Sequence, residues 1–257
     1  MHLSVLVFLK IKNMVNSIEK KVLILGANSD VAKSAIKLYV EKKYKVVAAS
    51  RNTTELKAFA VKEFGSESVI EILYFDAADF NSHQAFYNNL SHKPHIVLYA
   101  AGFLVNNEIA LKDWEGSFQM MKVHYCGAVS ILNIIAMDQA NNNLERIVGL
   151  SSLSGVRGRK SNFIYGSTKS AFTQYLAGLR QYLSSRKIIV NVIVAGYIRS
   201  KMTANLNLPE SLMLEPSFIA KSVVDNANRF TIVPGFKWKM IYFILRMMPE
   251  SLVAKLP

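Results

Sequence analysis

Apolar and polar positions along the chain fall into two alternating textures. Short apolar runs of strand length, "KKVLILG", "KVVAASR", "VIEILYFDAAD", "HIVLYAAG", "ERIVGLSS" and "KIIVNVIVAG", follow one another between Lys20 and Gly196. Longer stretches with helical spacing lie among them. "VAKSAIKLYVEKKY" sets Val31, Ala35, Leu38 and Tyr39 on one face, and "TTELKAFAVKEFG" opens on threonine and closes at Gly65. "SAFTQYLAGLRQYLSSR" is a third helix, before the sixth strand. Apolar strands alternating with helices predict an α/β chain: a single-domain Rossmann fold whose doubly wound parallel sheet carries helices on both faces. No repeat, low-complexity segment or linker interrupts the 257 residues, and one domain accommodates that length.

Composition narrows the class. Hydrophobic residues make up 51% and charged ones 19%, which excludes a disordered chain. The one cysteine, Cys126, excludes an internal disulfide framework and a cysteine-based zinc site, and no metal is expected. The net charge of +13 favours anionic partners, or reflects an ordinary lysine-rich surface. No nucleic-acid motif accompanies the charge, so nucleic acid is not an expected partner. Residues 1–19 read as an extension. Its apolar run from Leu3 to Leu9 is too short to span a bilayer and lacks the flanks of a signal peptide, and Met14 is an alternative start. Residues 20–235 form the expected domain. Residues 236–257, "FKWKMIYFILRMMPESLVAKLP", are apolar and aromatic, punctuated by Lys237, Lys239 and Arg246. That suits an interfacial helix at an anionic membrane, or equally a helix buried between subunits.

Two regions carry chemistry. The first strand ends at Gly26, and "GANSDVA" leads into a helix. Such a turn can present backbone N–H groups to a pyrophosphate. The second strand ends in Ser50 and Arg51, where an NAD site would carry a carboxylate; a small residue beside arginine suits a 2′-phosphate, hence NADP(H) rather than NAD(H). Asp76, ending the third strand, could accept from the adenine amino group or cap the turn that follows. Further on, Tyr165 and Lys169 share a helix face at i and i+4, and Ser152 ends the fifth strand. A tyrosine titrates near ~10, and a nearby ammonium is expected to lower that value. The serine could hold a substrate oxygen while the tyrosine gives or takes a proton.

The "SS", the twelve residues after it and the "YGSTK" that follows identify the chain as resembling the short-chain dehydrogenase/reductase family, over about Lys20 to Thr203. The resemblance implies Ser152, Tyr165 and Lys169 as the catalytic trio, with Lys169 also on the nicotinamide ribose. It implies Gly26, Asn28, Ser29, Asp30 and Val31 in the cofactor turn, then Arg51, Asp76 and Ala77. "YAAG" supplies Ala100, Ala101 and Gly102 where the family has Asn-Asn-Ala-Gly, and "AGYIRSKMT" supplies Gly196 and Ile198. There are departures. His124 occupies the slot of the asparagine that anchors a relay water; histidine can hydrogen-bond a water or a backbone carbonyl, and the alternatives are a weakened enzyme or a slightly different alignment. Ala195 replaces a proline, and Asp30 and Ala32 replace glycines.

"SGVRGRKSNFIYGSTKSAF", "LGANSDVA" and "AGLRQYL" are more narrowly similar to the decaprenylphosphoryl-2-ketoribose reductases. That likeness implies a lipid-linked keto-sugar substrate in cell-envelope synthesis, a flavin oxidase partner, and a cytoplasmic enzyme peripheral to the inner membrane face. Arg157 and Arg159 would recognise phosphate near Ser152. A homo-oligomer is expected. The alternatives are a reductase of another carbonyl and a non-catalytic NADP-binding partner subunit.

Overall fold

The computed structural model describes residues 19–225 and 228–255. The Leu3–Leu9 run and Met14 therefore lie outside the described residues. Seven parallel strands form one sheet in the order β3-β2-β1-β4-β5-β6-β7. They are β1 (Lys21–Leu25), β2 (Lys45–Ser50), β3 (Glu71–Tyr74), β4 (Ile96–Tyr99), β5 (Arg146–Ser152), β6 (Ile189–Ala195) and β7 (Thr231–Ile232). The strand order reverses at β1, which pairs β2 on one side and β4 on the other, with Leu25 level with both Ala49 and Tyr99. The C-terminal ends of β1, β4 and β5 thus open on one crevice, where doubly wound sheets bind ligands.

Alternate strand residues feed two cores. Leu23, Leu25, Val97 and Ile147 face one, and Val22, Ile24, Leu98 and Val148 the other. The second core is closed by α1 (Asp30–Glu41), which contributes buried Val31, Ala35 and Tyr39 as its spacing predicts; Leu38 packs partly buried beside them. α2 (Thr53–Phe64) is capped by Asn52, whose side chain accepts from the Glu55 N–H, and closed by Gly65 at φ 77°. The cap is thus the residue before the threonines.

Other elements are not resolved by the strand-and-helix pattern. These are α3 (His83–Asn88), α4 (Asn107–Lys112), α5 (Trp114–Met121), α6 (Gly127–Met137) and α8 (Pro216–Asp225), together with the two-residue β7. A π turn, Lys122–Cys126, joins α5 to α6. This 24-residue helical run, Trp114–Met137, is long and apolar enough to cross a membrane, but half of it is buried and α6 supplies Ile131, Leu132 and Ile135 to the first core. α7 (Phe163–Tyr182) begins seven residues ahead of Ser170 and so carries Tyr165 and Lys169 in its first two turns. The chain ends in α9 (Phe236–Met247) and the single turn α10 (Glu250–Val253).

Candidate active site

The turn after β1 is built around a backbone constraint. Gly26 has φ +83°, and a Cβ there would sit 2.3 Å from the Ala101 nitrogen. Glycine alone satisfies both conditions. Its N–H and that of Ala27 bond the Ala49 carbonyl, which closes the turn against β2. Asn28 reaches across to the end of β2, where its Nδ2 donates to the Ser50 hydroxyl (3.0 Å) and the Asn52 carbonyl (2.8 Å). Its Oδ1 is buried with no partner among the described residues. A buried acceptor without a donor is costly unless a ligand supplies one. Ser29 precedes α1, and Asp30 and Val31 are its first residues, so the helix N-terminus points its free N–H groups into the crevice. The turn therefore fits a dinucleotide: a close backbone cradle, a positive helix end and an unpaired amide oxygen. Arg51 stands exposed just past Ser50 at the rim.

Across the crevice, β5 ends at Ser152, whose hydroxyl accepts from the Ser154 N–H (3.2 Å). α7 brings Tyr165 and Lys169 beside it, with the Lys169 Nζ 5.8 Å from the Tyr165 ring centre. That Nζ donates to the Leu150 carbonyl (3.2 Å), which fixes the lysine to the strand that ends in the serine. Gly102 lines the same space, and a Cβ there would come within 3.4 Å of the Lys169 Nζ and 3.2 Å of the His124 Nε2. Burial dominates the titration. It pushes the Tyr165 phenol up to about 12 against a smaller opposing effect of the Ser152 hydroxyl, and pushes the Lys169 ammonium down to about 8. The lowered tyrosine expected from a neighbouring ammonium is thus corrected: burial raises the phenol instead, and it stays protonated at neutral pH. A protonated phenol beside a serine hydroxyl is arranged to donate a proton to a carbonyl oxygen.

The sequence profile described as short chain dehydrogenase matches residues 20–211. The chain belongs to that family. Among its relatives, carbonyl reductase family member 4 of Xenopus laevis is 26% identical over 78% of this chain and 88% of its own length. An uncharacterised oxidoreductase of Mycobacterium tuberculosis is 25% identical over 82% and 87%. The fold matches a Burkholderia cenocepacia short chain dehydrogenase in complex with NADP at a TM-score of 0.78, with 17% identity over 92% of this chain and 97% of that one. A Sphingobium yanoikuyae short-chain dehydrogenase in complex with NADPH gives 0.75, with 18% identity over 93% and 96%.

Against the family pattern, His124 is the chief departure, and its ring is held by protein partners. Its ring is fully buried in the π turn, and both nitrogens are committed. Nε2 accepts from the Phe103 N–H (3.0 Å), so Nδ1 carries the proton and donates it to the Thr168 hydroxyl (2.8 Å). Thr168 donates in turn to the Tyr165 carbonyl (2.7 Å). Burial and the Lys169 charge hold the imidazole well below its usual range, so it is neutral. Tyr99, which stands where the family has asparagine, donates its hydroxyl to the Val123 carbonyl (2.5 Å) and steadies the same turn.

The remaining sequence candidates divide. Asp76 caps its turn, with Oδ1 accepting from the Ala78 N–H (2.9 Å). Ala77 is buried with its carbonyl against Gly127, and Ala100 and Ala101 abut Gly26. Gly196 lies under Trp238, where a Cβ would be 2.1 Å from the indole, and Ile198 bridges Leu214. Arg157 has partners the sequence does not signal. Its guanidinium is engaged by the protein itself: it bonds the Leu245 and Arg246 carbonyls at the end of α9 and the Glu250 carboxylate (3.1 Å). Arg159 turns to the Ser154 hydroxyl (3.3 Å), and its Nε is buried without a partner among the described residues. A cavity of about 390 Å³ lies between α7 and α9, bordered by Ser152, Arg157, Tyr242 and Arg246 but by neither Tyr165 nor Lys169. Sequence reasoning missed a latch. The segment after β6 closes onto α1, with the Lys201 N–H donating to Asp30 Oδ2 (2.8 Å) and its Nζ to Glu55 (2.7 Å), which also holds Lys33. These partners lie 146 to 171 positions apart, so no local pattern signals them.

Proposed function

We propose that the chain is an NADP(H)-dependent reductase of carbonyl groups, with a phosphorylated or lipid-linked keto sugar of cell-envelope synthesis as its substrate. The observation that carries the reaction type is the convergence of Ser152, Tyr165 and Lys169 at the C-terminal edge of the sheet, facing the Gly26 turn. In this reading the Gly26–Val31 backbone and the start of α1 hold the pyrophosphate, and Ser50 and Arg51 receive the 2′-phosphate. The nicotinamide, when bound, supplies the hydride. Ser152 orients the substrate oxygen and Tyr165 delivers the proton, which its value near 12 keeps in place. Lys169 holds its positive charge against the developing phenolate. The NADP and NADPH bound by the Burkholderia and Sphingobium proteins support the choice of cofactor.

The sugar-phosphate reading rests on the basic loop, and the diversion of Arg157 to α9 leaves Arg159 and Lys160 as its cations. NADPH oxidation should therefore be compared on a polyprenyl-phosphate keto sugar and on the unphosphorylated sugar. Faster turnover of the phosphorylated form is the expected result. Equal rates would move the substrate to another carbonyl class, such as a steroid or fatty acyl chain. Tyr165→Phe should lower kcat at least about a thousandfold while leaving NADPH affinity within a factor of about two. The sealed His124 ring favours a second reading, a cofactor-binding subunit without turnover, and full biological activity of a stable Tyr165→Phe variant would select it.

A further inference from the structure

We propose that α9 is a membrane-docking helix that seats the protein on an anionic lipid surface beside its catalytic crevice. The helix has two apolar faces. One is spent on the fold: Trp238 and Leu245, seven apart, are buried, and the indole N–H donates to the Leu212 carbonyl (2.9 Å). The other carries Phe236, Met240, Phe243, Ile244 and Met247, at spacings of i, i+4, i+7, i+8 and i+11, which is a single stripe. Phe236 is 77% exposed, Phe243 63% and Met247 70%. Five large apolar side chains side by side are not ordinary surface chemistry.

The borders of the stripe identify the occupant. On the helical wheel Lys239 and Arg246 flank one edge and Lys237 the other, and α9 contains no carboxylate. Glu250, just beyond it, is taken by Arg157. Cations on both sides of an apolar stripe match phosphate headgroups above acyl chains. A second copy laid on the same face would bring like charges together, on a chain that already carries +13. The twelve residues of α9 reach about 18 Å, so the helix lies in the interface rather than crossing a hydrocarbon core of about 30 Å.

The helix is also fastened on both sides of the active site. Arg157, five residues past Ser152, binds its last carbonyls, and Trp238 covers Gly196 just past β6. Docking would therefore hold the crevice near the headgroups. The proposal rests on this surface and stands whichever carbonyl is reduced.

The test is sedimentation of the full chain with vesicles of phosphatidylcholine alone or mixed with phosphatidylglycerol. Binding to the mixed vesicles that falls as salt rises is expected, with at least about a tenfold weaker partition in a Phe243→Ser/Met247→Ser variant. Lys237→Glu/Lys239→Glu should remove the preference for phosphatidylglycerol. Both pairs are exposed, so circular dichroism should be unchanged. Failure of the wild type to bind mixed vesicles overturns the proposal. So does binding that survives both double substitutions, which would put the contact elsewhere on the chain. A wild-type dimer that the serine variant dissociates, without vesicle binding, would assign the face to a second copy and overturn it equally.

Discussion

Tyr165 and Lys169 divide the acid–base work by burial, and the division predicts a pH profile. The phenol keeps its proton to about 12, so it sets no limb in the working range. The ammonium loses its proton near 8. For reduction, kcat/KM reports the free enzyme and should be flat below that value and decline above it as the charge is lost. Measured from pH 6 to 10, a limb near 8 supports the assignment, and a flat profile to pH 10 rules Lys169 out as its origin. His124 gives a stability signature. Its folded value is depressed, so the unfolded chain takes up a proton near 6.5 that the folded chain refuses. Stability conferred by the neutral ring is complete above pH 6.5 and falls as pH drops below it. The difference in unfolding free energy between wild type and His124→Gln should move against the wild type as pH falls from 6 to 5. Denaturant titrations at those two pH values measure it, and a constant difference would mean that the buried ring does titrate.

The elements differ in how openly the sequence announces them. Six strands were legible because each is a short apolar run, buried on both faces in the centre of the sheet and partly covered at the β3 edge, and α1 and α2 because their apolar positions keep one face. The catalytic trio was legible because spacing on one helix and at one strand end is local information. What stayed hidden depends on partners distant in sequence. The His124 ring meets Phe103 and Thr168, Arg157 meets the end of α9 about ninety residues on, and Lys201 meets Asp30. Nothing beside Arg157 in the chain separates a phosphate ligand from a helix fastener. Its structural position makes a clear distinction. Arg157→Ala should lower Tm by roughly 2–6 °C through the loss of its bonds to the α9 carbonyls, and should leave KM for a phosphorylated substrate within a factor of about two. A large rise in KM at unchanged Tm would return the arginine to the substrate site.

At the scale of the whole molecule, the crevice joins two halves of the sheet that meet at β1 and β4, and a ligand there touches both. Asn28 ties the first turn to β2, Ala101 backs Gly26 from β4, and Lys201 crosses from beyond β6 to Asp30. A dinucleotide in this crevice should therefore stabilise the fold as a unit, by mass action on the native state. At a hundred times Kd the gain is about 2.7 kcal/mol, which for a chain of this size raises Tm by roughly 5–10 °C. At equal concentration NADPH should give the larger rise and NADH the smaller, because Ser50 and Arg51 offer the extra phosphate a neutral gap and a cation where a carboxylate would repel it. Arg51 is exposed, so Arg51→Ala should leave the Tm of the free protein within about a degree and bring the two cofactors' shifts together. If NADH proves as effective as NADPH on the wild type, Arg51 is a surface charge and the 2′-phosphate has no receptor at the end of β2.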